Sequence, residues 1–247
     1  MKILLKKDLS TRYQRSLLGI WWALINPIFT AVVLYFVFHT QYSSKMRHGE
    51  PFGPYVLGGT LVVALLAQGC VSATQSLQSS AQIFIRLPSP PEIFAISTAS
   101  VNAINFLFGL APLLIWNVIA GGSLGFQIFF LPIFTIISIF FVAGLALIGF
   151  YFVTRFGDAI NLMSLVATLM TYLTPVFYPI DSVSKRARQL LELNPLTHFI
   201  NVFRYLALNS GGASLGDWIW IGLSSSIAFC VGLQIFFKSW TKTASLL

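Results

Sequence analysis

The chain has 247 residues, 56% of them hydrophobic and only 9% charged, with a net charge of +8 and a mean hydropathy of +0.81. A soluble domain carries about 25% charged residues because its surface faces water, so this composition excludes an ordinary soluble enzyme or binding module. It predicts one all-α integral membrane domain over 1–247, in which Lys and Arg punctuate apolar runs as they do in membrane loops, a pattern that argues against nucleic-acid binding.

Residues 1–16 place Leu5, Leu9 and Tyr13 on one helical face and Lys6, Lys7, Arg12 and Arg15 elsewhere. That suits an amphipathic helix lying in the headgroup plane, or else the charged flank of the first span. Runs free of Asp, Glu, Lys and Arg then cover 16–44, 51–85, 93–154, 159–180 and 218–237. A spanning helix needs ~20 apolar residues, and the stretch Gly121-Gly122-Ser123-Leu124-Gly125 divides the third run. Six spans are predicted, near 17–39, 55–75, 94–119, 127–153, 159–178 and 218–237. The runs do not alternate apolar and polar residues as barrel strands do.

Two segments between spans are irregular. In 76–92, Pro88, Pro90 and Pro91 stop a helix, and 81–87 has room for a short one; alone, this reads as a cytoplasmic connecting loop. In 181–214, Leu190, Leu191, Phe199, Val202, Phe203 and Leu206 suit two short amphipathic helices parted by Asn194-Pro195 and closed by Gly211-Gly212. These are either a re-entrant hairpin lining a cavity or a pair of surface helices.

With the N-terminus inside, nine of the 15 Lys and Arg fall on the inner side and six on the outer. The five before the first span carry most weight, which puts both termini in the cytoplasm. Against this stand the four basic residues of the last outer loop. Cys70 and Cys230 lie in apolar runs and read as buried or lipid-facing. His39, His48 and His198 are scattered and read as loop and interface residues. No metal-ligand spacing and no phosphate-cradling GxxxxGK[ST] loop is present. The polar groups inside the spans are neutral, among them Gln68, Gln75, Asn102, Asn105 and Asn161, so ion coupling through intramembrane carboxylates has no visible basis. The aromatic residues of span one, Trp21, Trp22 and Tyr35, suit a path for sugars, whose C–H faces pack on aromatic rings; lipid-facing bulk is the alternative for most of the phenylalanines.

Several short motifs fall in order along the chain. They are Lys7-Asp8-Leu9, Arg12-Tyr13, Ser16-Leu17-Leu18-Gly19, Trp21-Trp22 and Asn26-Pro27, then Pro-x-Glu within Pro88–Phe94. Thr174-Pro175-Val176-Phe177-Tyr178-Pro179 follows, and last Leu193-Asn194-Pro195-Leu196 with Phe203-Arg204. Together they resemble the polysaccharide-export permeases of the type-2 ABC exporter class, which move O-antigen, capsule or teichoic-acid glycans.

The resemblance implies an N-terminal interface helix carrying Lys7, Asp8, Arg12 and Tyr13. It implies a coupling helix in 76–92, where Phe84, Arg86, Leu87, Pro88 and Glu92 would meet a separate nucleotide-binding ATPase. Spans one and five would line the path through Trp21, Trp22, Tyr35, Phe177 and Tyr178. A re-entrant hairpin would gate its outer end through Pro175, Pro179, Asn194, Pro195, Phe199 and Arg204. The chain would form a homodimer in the cytoplasmic (inner) membrane, in contact with membrane lipid and a lipid-linked glycan substrate. It would hold no cofactor and no metal itself, with ATP and Mg on the partner. An exporter of small lipophilic compounds would share this fold. A membrane-embedded lipid or sugar transferase would need clustered carboxylates or histidines at one interface, which the sequence does not show. A structural subunit without a path is a further reading.

Overall fold

The computed structural model describes residues 21–43, 46, 50–80 and 91–244, with the side chains of 23, 24, 91 and 239–244 excepted. Among the described residues every regular element is helical. In chain order these are α1 (Trp22–Tyr42), α2 (Phe52–Val63), a π-helical turn (Ala64–Gln68), α3 (Gly69–Ser79), α4 (Pro91–Ile119), a 3-10 turn (Phe126–Phe130), α5 (Leu131–Val153), α6 (Ala159–Tyr172), a 3-10 turn (Ile180–Ser182), α7 (Lys185–Glu192), α8 (Pro195–Leu208) and α9 (Leu215–Ala244).

Among the described residues, four helical stretches are long and apolar enough to cross a membrane: Phe52–Ser79, Glu92–Ile119, Phe126–Val153 and Leu215–Lys238. They coincide with the second, third, fourth and sixth predicted spans. For the first, the described part is the 21-residue α1. For the fifth, the helix stops at Tyr172 instead of 178, leaving 14 residues. At 1.5 Å per residue α6 is about 21 Å long, short of the ~30 Å hydrocarbon thickness. The early stop has a local cause. Pro175 and Pro179 offer no N–H, and a residue before proline is pushed from helical angles. The Thr174 hydroxyl turns back to the Met170 carbonyl at 2.5 Å.

The bundle is held most extensively by α9 on α5, followed by α3 on α5 and α1 on α2. On α5, Gly144 faces Ala228 and Gly232 of α9 so closely that a Cβ on Gly144 would collide with the Ala228–Phe229 backbone. Small residues spaced four apart permit that approach, and van der Waals packing then substitutes for the hydrophobic drive that lipid removes.

Helix α8 is not a surface helix. Nearly all of it is buried, Leu196–Ile200, Val202–Arg204 and Leu206–Leu208 included, and it packs on α2, α4, α5 and α9. Phe199 and Phe203 enter an aromatic cluster with Phe106, Phe134 and Phe141, at centroid separations of 5.1–5.9 Å. By contrast α7 buries only Leu191, and Arg188 on its exposed face bridges Asp181 and Glu192 at 2.9 and 2.8 Å. The two predicted helices of 181–214 thus differ in kind: one lies on the surface and one is inserted among the long apolar helices.

Candidate functional site: an amide-lined groove and a polar cavity

Four of the five interior amides singled out in the sequence, Gln68, Gln75, Asn102 and Asn105, meet in one place, while Asn161 on α6 stands apart. A groove of about 540 Å³ runs between α1, the α2–α3 stretch and α4, lined by Trp22 and Asn26, by Gln68, Ser72 and Gln75, and by Asn105 among others. Local geometry explains the convergence. Gln68, Ser72 and Gln75 sit at i, i+4 and i+7, one face of a helix, and the π-turn ending at Gln68 re-aims that face by one residue relative to α2. Such π-turns concentrate at functional positions. Beneath the groove Asn102 is pinned: its Nδ2 donates to the carbonyls of Gly69 (3.2 Å) and Thr98 (3.3 Å), and its Oδ1 accepts from the Ser72 hydroxyl at 3.0 Å. Gln68 and Gln75 are exposed.

Amides inside apolar helices are costly against lipid and stable against water or a polar ligand. A groove so lined, without any ionisable side chain among the described residues, provides hydroxyl-compatible donors and acceptors and no fixed charge from them to trap or repel a passing group.

The sequence-predicted path residues do not all share this groove. Trp22 lines it, and Trp21 is exposed beside it. Tyr35 instead packs among His39, Phe52 and Trp116 towards the other end of α1. Phe177 stacks on Phe38 of α1 at 4.8 Å, and the Tyr178 carbonyl accepts from the Tyr55 hydroxyl at 3.3 Å. Gln68, Gln75 and Asn26 were not singled out as path residues, although the i, i+4, i+7 recurrence of polar residues within an apolar run was a usable signal for the first two.

At the opposite end of α2, the predicted gate residues divide into two sets. Asn194 caps α8, its Oδ1 accepting from the Leu196 N–H at 3.0 Å, while its Nδ2 donates to the Thr174 hydroxyl at 3.0 Å. One helical face further on, the buried Arg204 donates to the carbonyls of Pro175 (2.9 Å), Val176 (2.6 Å) and Tyr55 (3.3 Å), with its guanidinium 3.3 Å from the centre of the Tyr55 ring. So α8 is tied from both ends to the break after α6. Phe199 lies away from this clasp, in the aromatic core, and Pro195 occupies the first turn of α8, where its missing N–H costs nothing.

Above the clasp lies a polar cavity of about 490 Å³, with Glu50, Pro179, Asn201 and Trp220 in its wall. Here His198, expected to be a loop or interface residue, is buried: Nδ1 stands 2.7 Å from Asp217 Oδ1 and Nε2 2.8 Å from the Glu192 carbonyl. The other Asp217 oxygen accepts from the N–H and hydroxyl of Ser214 at 2.8 and 2.7 Å. The bond to Asp217 raises the His198 pKa; burial opposes it and the Glu192 carbonyl reinforces it.

The interface-helix residues Lys7, Asp8, Arg12 and Tyr13, and the coupling residues Phe84, Arg86, Leu87 and Pro88, lie outside the described residues. Glu92 is described, half-buried in the first turn of α4.

Comparison with known proteins agrees with this architecture. The chain is 25% identical over 247 residues to an O-antigen export system permease protein RfbA of Klebsiella pneumoniae, covering 99% of this chain and 93% of that one. A second Klebsiella pneumoniae RfbA is 25% identical over 248 residues. The Myxococcus xanthus O-antigen export system permease protein RfbA is 24% identical over 204 residues, 81% of this chain and 77% of its own. The ABC-2 type transporter family matches residues 1–208. With a family match over most of its length and long apolar helices to carry it, the chain belongs to the ABC-2 type transporters, as a membrane component.

Proposed function

We propose that the chain is the permease subunit of an ATP-driven exporter that moves a lipid-linked polysaccharide, of O-antigen, capsule or teichoic-acid type, across the cytoplasmic membrane. The observation that carries this reading is the amide-lined groove. A polyhydroxylated chain needs hydrogen-bonding partners at membrane depth, and weak, neutral, repeated ones let it slide, whereas fixed charges would hold it. The family membership and the names of the three relatives, each an O-antigen export system permease, point the same way. A path for a small lipophilic compound would have no use for Gln68, Gln75 and Asn26.

In this reading α1 and α6 supply the remaining two of six spans, and α7 and α8 form a re-entrant hairpin whose first arm, α7, stays at the outer surface while α8 is inserted. Two copies of the chain enclose the path. The energy comes from a separate ATPase holding ATP and Mg, docked on the cytoplasmic segment 76–92, where Phe84 and Leu87 offer an apolar plug and Arg86 and Glu92 offer charge. Both termini are cytoplasmic. The clasp of Asn194 on Thr174 and of Arg204 on Pro175 and Val176 closes the outer end.

The test removes the amides and keeps the fold. Gln68 and Gln75 are exposed, so Gln68→Leu with Gln75→Leu leaves the packing intact. Export of glycan to the outer leaflet by cells carrying the double variant is expected to fall about tenfold or more, the loss that follows when polar contacts to hydroxyl groups are removed, at normal protein levels in the membrane. Undiminished export would show that the glycan does not pass along this groove.

A further inference from the structure

The outer cavity is chemically unlike the groove: it is charged, aromatic on one side, and built from α2, the Ile180–Ser182 turn, α7, α8, α9 and the loops beside them. Four carboxylates line it (Glu50, Asp181, Glu192 and Asp217) against two guanidiniums, Arg188 and Arg204, and the His198 imidazole. Most of this charge is already engaged. Arg188 is paired with Asp181 and Glu192, His198 with Asp217, and Arg204 with three carbonyls. Among the described lining residues the balance is an excess of negative charge, which disfavours an acidic ligand.

Two side chains of the wall remain unspent. Asn201, half-buried on α8, has no side-chain hydrogen bond among the described residues, and neither does the indole N–H of Trp220 on α9. Trp220 is 43% exposed although His198 stacks on its ring, 5.3 Å between centroids and 3° from parallel. The imidazole thereby fixes the plane of the indole. Gly212 leaves the rim open, with nothing near where a side chain would project.

We infer that this cavity is a binding site for a neutral or amine-bearing saccharide. Its volume falls within the ~300–1,000 Å³ of small-molecule sites. Its wall combines what a sugar needs: an oriented aromatic ring for the apolar C–H surface, an amide with free donors and acceptor, and ionised carboxylates as strong acceptors for hydroxyl groups. The surplus of carboxylates selects against uronic acids and phosphorylated sugars. For its physiological ligand the inference rests on the export reading, since a glycan emerging past the α8 clasp would meet this site next. Its chemistry stands on the cavity alone.

The experiment is saturation-transfer NMR and titration calorimetry on the full purified chain in lipid nanodiscs, with mannobiose, chitobiose and trigalacturonic acid as probes. The two neutral disaccharides are expected to bind saturably, with Kd on the order of 1 mM, and the acidic trimer about tenfold or more weaker. Trp220→Ala and Asn201→Ala should each weaken the neutral probes about tenfold. Failure of both neutral probes to saturate the wild type overturns the inference, as does tighter binding of the acidic trimer. Unchanged binding in both variants places the sugar elsewhere and also overturns it. If either variant fails to assemble, the ranking of the three probes on the wild type still decides. Absent saccharide binding, alongside export that still depends on Gln68 and Gln75, would remove this site and leave the export reading standing. Saccharide binding by a chain shown to export no glycan would remove only the export reading.

Discussion

Arg204 and His198 stand six residues apart on α8 and hold charge in different ways. Arg204 is buried, and its two terminal nitrogens donate to three backbone carbonyls while the guanidinium lies over the Tyr55 ring. A guanidinium cannot lose its proton, so that clasp persists at any physiological pH. The His198 site is conditional. A carboxylate oxygen and a carbonyl oxygen face the two ring nitrogens, and neither can donate, so both contacts are hydrogen bonds only when both nitrogens carry protons. This is why the folded pKa lies above the ordinary imidazole value. The stabilisation is therefore fully present below about pH 6.5 and is lost as the pH rises through the raised folded value. Thermal unfolding of the purified chain should show a melting temperature that declines across that interval, and His198→Gln should flatten the decline. An equally steep decline in the variant would assign the pH dependence to another group.

Among elements, the contact that decides the bundle is α5 against α9. Gly144 tolerates no side chain, because the Ala228–Phe229 backbone occupies the position of its Cβ. Gly144→Ala is therefore expected to cost about 1–3 kcal/mol, the usual range for overpacking a filled interior. In contrast Gly222→Ala, on the same α9 with open space where its Cβ would project, should be neutral. Melting temperatures of the two variants in one detergent check this, and equal values would refute the close crossing. The long helices were legible in the sequence because hydrocarbon thickness and the absence of charge fix their existence and rough bounds. Other features were not. The π-turn at Ala64–Gln68 leaves no compositional mark, since it depends on how α2 and α3 pack on α4. The end of α6 at Tyr172 was legible in principle from Pro175, but the apolar run continues through Val176 and Phe177 and hides it. For α8, amphipathic spacing showed a helix but not its burial, because packing among spans buries polar positions such as Thr197 and His198 that a pattern places outside.

At the scale of the whole molecule, what the sequence left unread is pairing across distance. The motif residues Asn194 and Arg204 were recognisable, yet their contacts with Thr174, Pro175, Val176 and Tyr55 span 20 to 149 residues of chain and have no local signature. The same contacts bear on orientation. Helices α2 and α3 form one continuous rod from Phe52 to Ser79, and Glu50 at its start accepts from the Gly211 N–H at 3.1 Å. Residues 50–55, 174–192 and 209–217 therefore gather at one end, and Ser79 lies at the other with the 154–158 turn and Lys238. Four carboxylates concentrate at the first end, and in the proposed topology, with the N-terminus in the cytoplasm, that end faces outward. In a chain with Cys70→Ser and Cys230→Ser, single cysteines at Ser182 and Gly212, both exposed, should react with an impermeant maleimide added to intact spheroplasts. A cysteine at Ser79, also exposed, should react only after the membrane is opened. A cysteine at Phe199, fully buried among Phe134 and Phe141, should resist in both. Reaction of Ser79→Cys from outside would invert the chain, move the saccharide cavity to the cytoplasm, and leave no cytoplasmic role for 76–92 as the point where a partner's ATP hydrolysis enters.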